Sequence, residues 1–462
     1  MSFQEAIYER IPVWAQNLML SAKGTQFAWE RYGGSFSAHL ARIKQTERLG
    51  QSESKAMQAS LLRKFVAHAA QTSPYYAETF KVAGLNLDSI SSLEDIRRVP
   101  VLEKATLRTE TDRIRSTTAG SGYVIPMHTS GTTGTPMSVA YSLDDIRQKF
   151  AYWEASHNWF GVTKRHRNVR FSGRTLYPNA EKNNIFWRHN LAVNQMLMSS
   201  YHLHEANLDS YVETLARYRP DLIDGYPSAI YLIARRFAGL AERPFSPRLV
   251  MTTAETLESF QRETIAEAFG CPVRNQYSSS EGAPFAAEDE EGEFALFPSS
   301  GILEVVKPGT DEPVRPGEHG DLLVTSFITH AYPLIRYRIG DTAAMDGYTN
   351  RRPGFPRILE IQGRQEDYIV SPDRGPVGRL DPVFKKLPPS ILESQIVQTR
   401  ADTVELRYVP DLTRFSESDI ELVRKELKAR LGNMSIQLVC YENLLPRGKN
   451  GKLRAVIGLR DA

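Results

Sequence analysis

The chain has 462 residues, 41% of them apolar and 24% charged, and that length exceeds one compact core, so roughly two to three domains are expected. Its formal net charge of +3 argues against a wholesale nucleic-acid binder, yet leaves room for a local phosphate pocket. No run approaches the ~18 apolar residues of a membrane span, and the 2 cysteines, Cys271 and Cys440, are far apart without a CxxC, which argues against a disulfide or a cysteine zinc site and fits a reducing cytoplasm.

The start, MSFQEAIYERIPVW, has early acids and Pro12 and lacks the basic start and apolar middle of a signal peptide. Residues 1–115 read as mostly helical, with Pro100 separating two short helices. From about residue 120, short β-rich runs (YVIPMHTS, RPDLIDGYP, PRLVMTTAE, CPVRNQYSSS) alternate with helical stretches, which predicts parallel sheets with helices packed on them. The spacing predicts a helix over 256–269 that stops at Gly270, and a second over 415–431 in which Ser416 and Asp419 cap the start. Ile420, Val423, Leu427 and Leu431 fall on one face of that second helix. Residues 294–345 read as β, and the last hundred residues as a compact α+β unit. Its strands are placed near 394–399, 403–409 and 435–441, before a hairpin-like end. The boundary between the two parts is placed near Gly363.

HTSGTTGTP, residues 128–136, holds glycines and hydroxyls and no long apolar side chain. Such a turn after a strand gathers N–H and O–H donors that suit phosphate oxygens, and it also fits a flexible surface turn. It is not a Walker loop, because the GxxxxGK[ST] spacing is absent. A GxSxG elbow is absent as well, which leaves a hydrolase unsupported.

TSGTTGTP (129–136), NQYSSSEG (275–282), YRIGDTA (337–343), GRQED (363–367) and PRGKNGKLR (446–454) occur in the order found in the adenylate-forming superfamily of acyl-CoA ligases, adenylation domains and luciferases. The chain resembles the phenylacetate–CoA ligase family. RIPVWAQNLMLSAKG and GRQEDYIVSPDRGPVGRLDPVF look like its branch associated with capsular and other surface polysaccharide loci. The resemblance implies an α/β fold. A large N-terminal ATP- and acid-binding domain (1–362) combines a helical N-terminal region, β-sheets with packed helices and a small β subdomain. A hinge (363–367) joins it to a small mobile α+β domain (368–462).

Residue by residue, the resemblance implies that Thr129, Ser130, Gly131, Thr132, Thr133 and Gly134 hold the β- and γ-phosphates of ATP, with Met137 where lysine is frequent. Ala254 and Glu255 border adenine, although TTAETL also reads as a plain strand-to-helix junction. Asn275, Gln276, Tyr277 and Ser278 lie along the nucleotide, with Tyr277 against the adenine face and Ser278 where glycine is usual. Glu281 holds Mg²⁺, and its alternative is a surface acid beside the run 288–291, itself read as a solvated turn. Asp341 accepts the ribose hydroxyls, Arg364 donates from the hinge, and Lys452 meets the reacting carboxylate and α-phosphate.

The implied reaction is ATP-dependent activation of a carboxylic acid as an acyl-adenylate, pyrophosphate release, and transfer to an acceptor. The resemblance implies coenzyme A, but VSPDRGPVGRLDPVF departs from the RGxNxxP pattern of phenylacetate–CoA ligases. An amine acceptor, nucleotidyl transfer to a hydroxyl and a non-catalytic nucleotide-binding protein are the alternatives. The expected partners are a small carboxylate and its acceptor, with no nucleic acid and no membrane, and a homodimer is a further expectation. YHLHE (201–205) has two histidines for one strand face, and RHRNVR (165–170) reads as a solvated strand edge.

Overall fold

The structure, a computed structural model, describes residues 8, 10–118, 124–128, 138–172, 176–177, 180–203, 205–362, 369–373, 375–377, 380–384, 387–388, 390–447 and 453–459. The fold is mixed α/β. Its first 115 residues carry the expected helices, among them Val13–Tyr32, Phe36–Thr46, Gln51–Thr72 and Pro74–Val82. None of the helices among the described residues is long and apolar enough to cross a membrane. Packing divides the chain into two compact units, one of Met1–Ser21, His166–Val273 and Gly363–Ala462, the other of Ala22–Arg165 and Arg274–Gln362.

In the first unit the strands Leu249–Thr253, Leu222–Gly225, Asn168–Ser172 and Gln195–Ser199 pair in parallel, in that order, and Trp187–Asn190 closes the edge antiparallel. Residues 249–251 and 196–198 are continuous apolar runs, as helix-covered parallel strands require. Glu205–Tyr218, Pro227–Ala238 and Ser259–Phe269 bury Leu215, Ile230 and Ile265 in one core with Val169, Ile223 and Val250. The strand Asn168–Ser172 lies inside the sheet, so RHRNVR is not a strand edge. Instead Arg170 Nε lies 3.3 Å from the buried Asp224 carboxylate of the neighbouring strand.

The tail of this unit folds about its own core. Ser435–Cys440, Thr403–Pro410, Ile391–Arg400 and Val456–Ile457 form a four-stranded sheet backed by helix Glu417–Leu431. Ile420, Val423, Leu427 and Leu431 are its buried face, as the 3.6-residue spacing requires, and Asp419 Oδ2 accepts from Ser416 N–H at 3.0 Å. The chain end is not a hairpin: Val456–Ile457 pairs in parallel with Ile391–Arg400.

In the second unit, Gly301–Val306, His319–Ser326, Tyr337–Tyr348, Pro356–Gln362, Phe294–Leu296 and Ala286–Glu288 form an antiparallel array. Gln276 and Tyr277 then pair with Ala287 and Ala286. Val124–His128 differs from the expected parallel strand. It pairs antiparallel with Ser138–Ser142, bringing His128 opposite Ser138, and helix Leu143–Asn158 follows directly.

Candidate active site

In the second unit the site grows from two strands. Tyr277 ends the strand Val273–Tyr277, Asp341 lies within Tyr337–Tyr348, and Tyr277 Oη donates to Asp341 Oδ2 at 2.7 Å. The segment after Tyr277 is folded by its own hydroxyls: Ser279 Oγ accepts from the N–H groups of Gly282 (3.1 Å) and Ala283 (3.0 Å). Ser278, where the motif prefers glycine, is exposed and needs no positive φ. Gly282 does need it. Its φ is +101°, and a Cβ would lie 2.2 Å from Thr329 Cγ2 and 2.8 Å from Tyr141 Oη.

Glu281 is buried, with 4% of its surface exposed. One residue on strand Ser138–Ser142 and one on the following helix hold the backbone around it: Tyr141 Oη donates to Ser280 O at 3.1 Å and Lys149 Nζ to Ser279 O at 3.0 Å. The Lys149 ammonium also lies 5.1 Å from the Tyr141 ring centroid. Burial pushes the Lys149 ammonium down to about 8, against the pull of the Glu281 carboxylate. Burial raises the Tyr141 hydroxyl well above its usual range, with the Asp145 and Glu281 anions adding to it.

Asp145 fixes that same element. Its carboxylate accepts from Ser142 N–H at the helix start (3.0 Å) and from His330 and Ala331 N–H (3.1 Å each). Asn275 N–H donates to Glu288 Oε2 at 2.8 Å, and Gln276 N–H to Asn275 Oδ1 at 3.0 Å. The acid run is a solvated turn only in part: Glu290 and Glu291 form the turn and Glu291 is exposed, whereas Glu288 ends a strand. Asp289 is fully buried, and Glu290 receives both Arg352 amines at 2.8 and 3.1 Å.

Among the described residues there is no group of three or more His, Cys, Asp or Glu able to hold a metal, and His204 of YHLHE lies outside those residues. A single buried carboxylate still fits Mg²⁺, which takes one or two protein carboxylates and completes its shell with phosphate and water oxygens.

In the first unit, Ala254 follows the strand Leu249–Thr253 with φ +72°, a left-handed conformation that costs a residue with a Cβ about 1–2 kcal/mol. Glu255 turns its carboxylate onto the protein: Oε2 accepts from Ser228 N–H at 3.2 Å and Oε1 from Leu453 N–H at 2.7 Å. Burial raises this carboxyl, and the Arg447 guanidinium opposes the rise. The helix begins at Ser259 rather than at Thr256, because Glu258 is extended (ψ 151°) and caps it together with Gln261, and it ends at Phe269 with Gly270 at φ +63°. Thr129, Ser130, Gly131, Thr132, Thr133, Gly134, Met137, Arg364 and Lys452 lie outside the described residues.

Thus Tyr277 and Asp341 are joined, Asn275, Gln276, Ser278 and Glu281 share their unit, and Ala254 and Glu255 belong to the other unit with the C-terminal tail. Lys149, Asp145 and Arg447 escaped sequence reasoning. Arg447 stands inside PRGKNGK, which was one available signal.

Residues 45–329 match the family described as AMP-binding enzyme, and residues 369–458 match the CapK C-terminal domain. The chain belongs to the AMP-binding enzyme family. As an AMP-binding enzyme it is an adenylate-forming, ATP-using ligase of the AMP-forming class. Protein CapK of Staphylococcus aureus is 31% identical over 456 residues, covering 98% of each chain. Phenylacetate-coenzyme A ligase of Thermus thermophilus is 25% identical over 464 residues, covering 90% of this AMP-binding enzyme and 98% of the relative. In fold it is similar to a crystal structure of 2-hydroxyisobutyryl-CoA ligase in the postadenylation state in complex with 2-HIB-AMP. That match has a TM-score of 0.72 at 20% identity and covers 90% of this chain and 92% of that one.

Proposed function

We propose that this AMP-binding enzyme joins a carboxylic acid to the α-phosphate of ATP as an acyl-adenylate with release of pyrophosphate, and then passes the acyl group to the coenzyme A thiol with release of AMP. The observation that carries the reading is the Tyr277–Asp341 hydrogen bond, which couples an aromatic face suited to a base with a carboxylate suited to a ribose diol. The coenzyme A ligases among the relatives support the acceptor.

In this reading Tyr277 stacks on adenine, with Asn275, Gln276, Ser278 and Ala254 along the nucleotide and Glu255 bracing the segment that carries Ala254; Asp341 takes the ribose, and Arg364 the ribose or a phosphate. Thr129–Gly134 grip the phosphate tail with N–H and O–H dipoles. Glu281 would hold Mg²⁺, which supplies charge neutralisation at the phosphates. Lys452 brings its ammonium to the α-phosphate and the attacking carboxylate, where charge builds up. No protein nucleophile is required, since positioning and charge carry transfer of this type. Residues 1–362 act as the substrate domain, 363–367 as the hinge and 368–462 as the domain that delivers the lysine, in the cytoplasm. The resemblance of RIPVWAQNLMLSAKG and GRQEDYIVSPDRGPVGRLDPVF supports a place in surface polysaccharide synthesis.

A second reading, an amine acceptor giving an amide, is favoured by one observation: VSPDRGPVGRLDPVF lacks the RGxNxxP pattern. Mass spectrometry of products from ATP, Mg²⁺, a pooled acid library and either coenzyme A or pooled amines tests both. A thioester supports the first and an amide the second. AMP attached to the product, or pyrophosphate released equally without any acid, refutes acyl transfer.

A further inference from the structure

Two residues far apart in sequence converge on the first turn of helix Pro227–Ala238. Ser228 N–H donates to Glu255 Oε2 at 3.2 Å, and Ser228 Oγ accepts from Arg447 Nη1 at 3.2 Å. Arg447 is also paired with Glu393, both side chains being buried, and Glu393 Oε2 accepts from Leu445 N–H at 2.9 Å. The other oxygen of Glu255 accepts from Leu453 N–H at 2.7 Å. Arg447 immediately precedes residues 448–452 and Leu453 immediately follows them. The residue before that five-residue segment is thus bonded to the helix start directly, and the residue after it, which follows Lys452, is joined to the same start through Glu255. All these residues belong to one unit. Near the other end of the same helix, Arg235 lies 3.4 Å from Asp411 of the tail.

We propose that Glu255 is a positioning residue, whose carboxylate holds Leu453, the residue next to Lys452 in the chain, at the start of helix Pro227–Ala238, rather than a ligand of the nucleotide. The inference rests on the activation reading for the role of Lys452. A carboxylate is the right group for the task, because it accepts from two main-chain N–H groups at once. An amide offers one acceptor and would set its own N–H₂ against the second donor. The grip on Leu453 is on the main chain, so no side-chain motif at 453 records it.

The test is hydrogen exchange on the full chain, resolved for segments 445–447, 453–459 and 391–440, in wild type, Glu255→Ala and Glu255→Gln. Glu255→Ala is expected to speed exchange of 453–459 about tenfold, the scale of one or two lost hydrogen bonds, with 391–440 unchanged. Glu255→Gln should give a smaller rise, and it decides alone if the alanine variant does not fold. Unchanged exchange at 453–459, or a rise spread equally over 391–440, overturns the proposal. With the acid found by the product screen, pyrophosphate formation should lose kcat about tenfold with KM for ATP nearly constant. A raised KM at constant kcat would instead make Glu255 a nucleotide ligand. A wild-type protein that forms no pyrophosphate with any acid removes the activation reading, and the exchange experiment still decides the bracket.

Discussion

Tyr277 Oη and Asp341 Oδ2 lie 2.7 Å apart, joined by a hydrogen bond that links the end of one strand to the middle of another. The bond holds the carboxylate in one orientation before any nucleotide arrives. Tyr277→Phe removes the donor and keeps the ring. KM for ATP should rise about 3- to 10-fold, with kcat nearly unchanged, as one hydrogen bond of about 0.5–1.5 kcal/mol implies. Asp341→Ala should raise it further. Pyrophosphate-release kinetics at varied ATP measure both, and an unaltered KM in Asp341→Ala would take the ribose role from this residue.

Glu281→Gln preserves shape and deletes charge. Pyrophosphate formation should fall on the order of 10- to 100-fold at limiting Mg²⁺ and recover partly at high Mg²⁺, since water and phosphate oxygens still supply most of the shell. A titration of rate against Mg²⁺ with no shift in midpoint counts against metal binding by Glu281.

Lys452→Ala should lower acyl-adenylate formation by about 10²–10³-fold, or ~2.7–4 kcal/mol, the scale of one removed transition-state donor. ATP–pyrophosphate exchange measures that half-reaction alone. Near-normal exchange would take Lys452 out of the chemistry.

Gly282→Ala tests the backbone beneath Glu281. Its positive φ costs the alanine about 1–2 kcal/mol, and the added methyl meets Thr329 Cγ2 at 2.2 Å and Tyr141 Oη at 2.8 Å. Together with overpacking, the loss should reach roughly 2–4 kcal/mol. Urea unfolding reads it directly, and a loss under 1 kcal/mol would mean that Thr329 yields freely.

The two cysteines differ in reactivity. Burial pushes the Cys271 thiol up to about 12, whereas Cys440 is exposed. The thiolate is the nucleophile, so at pH 8 Cys271 stays protonated and inert in the native protein. Raising the pH toward 12 forms its thiolate and increases its reactivity. Iodoacetamide at pH 8 should label Cys440 alone, and both residues after unfolding. Peptide mass mapping distinguishes the two.

Much of the architecture was legible from local pattern. Helix Glu417–Leu431 followed from four apolar residues on one face and an acid placed to cap. The strands Leu222–Gly225 and Leu249–Thr253 followed from apolar runs between polar breaks. Ser138–Ser142 was missed because a glycine-rich loop reads alike whether a helix or a strand follows it. The start of helix Ser259–Phe269 was misplaced by three residues because Glu258, not the hydroxyl of Thr256, caps it, with its N–H donating to Gln261 Oε1 at 3.1 Å. Lys149 meets Ser279 130 positions away, and Arg447 meets Ser228 219 positions away. Side chains that act at such separation leave no periodicity. The candidate site was legible as ordered motifs, and its supporting charges were not.

The way the chain is shared between the two units bears on how it is made. The unit of Ala22–Arg165 and Arg274–Gln362 has all its residues once 362 have been synthesised, whereas the other waits for Gly363–Ala462. A nascent chain on the ribosome therefore carries the Leu222–Gly225 and Leu249–Thr253 strands, with helix Pro227–Ala238 between them, before Arg447, which bonds Ser228 of this helix, and Leu453, which bonds Glu255, exist. Through that interval the helix start is open to chaperones, and a truncation after residue 362 would make the interval permanent.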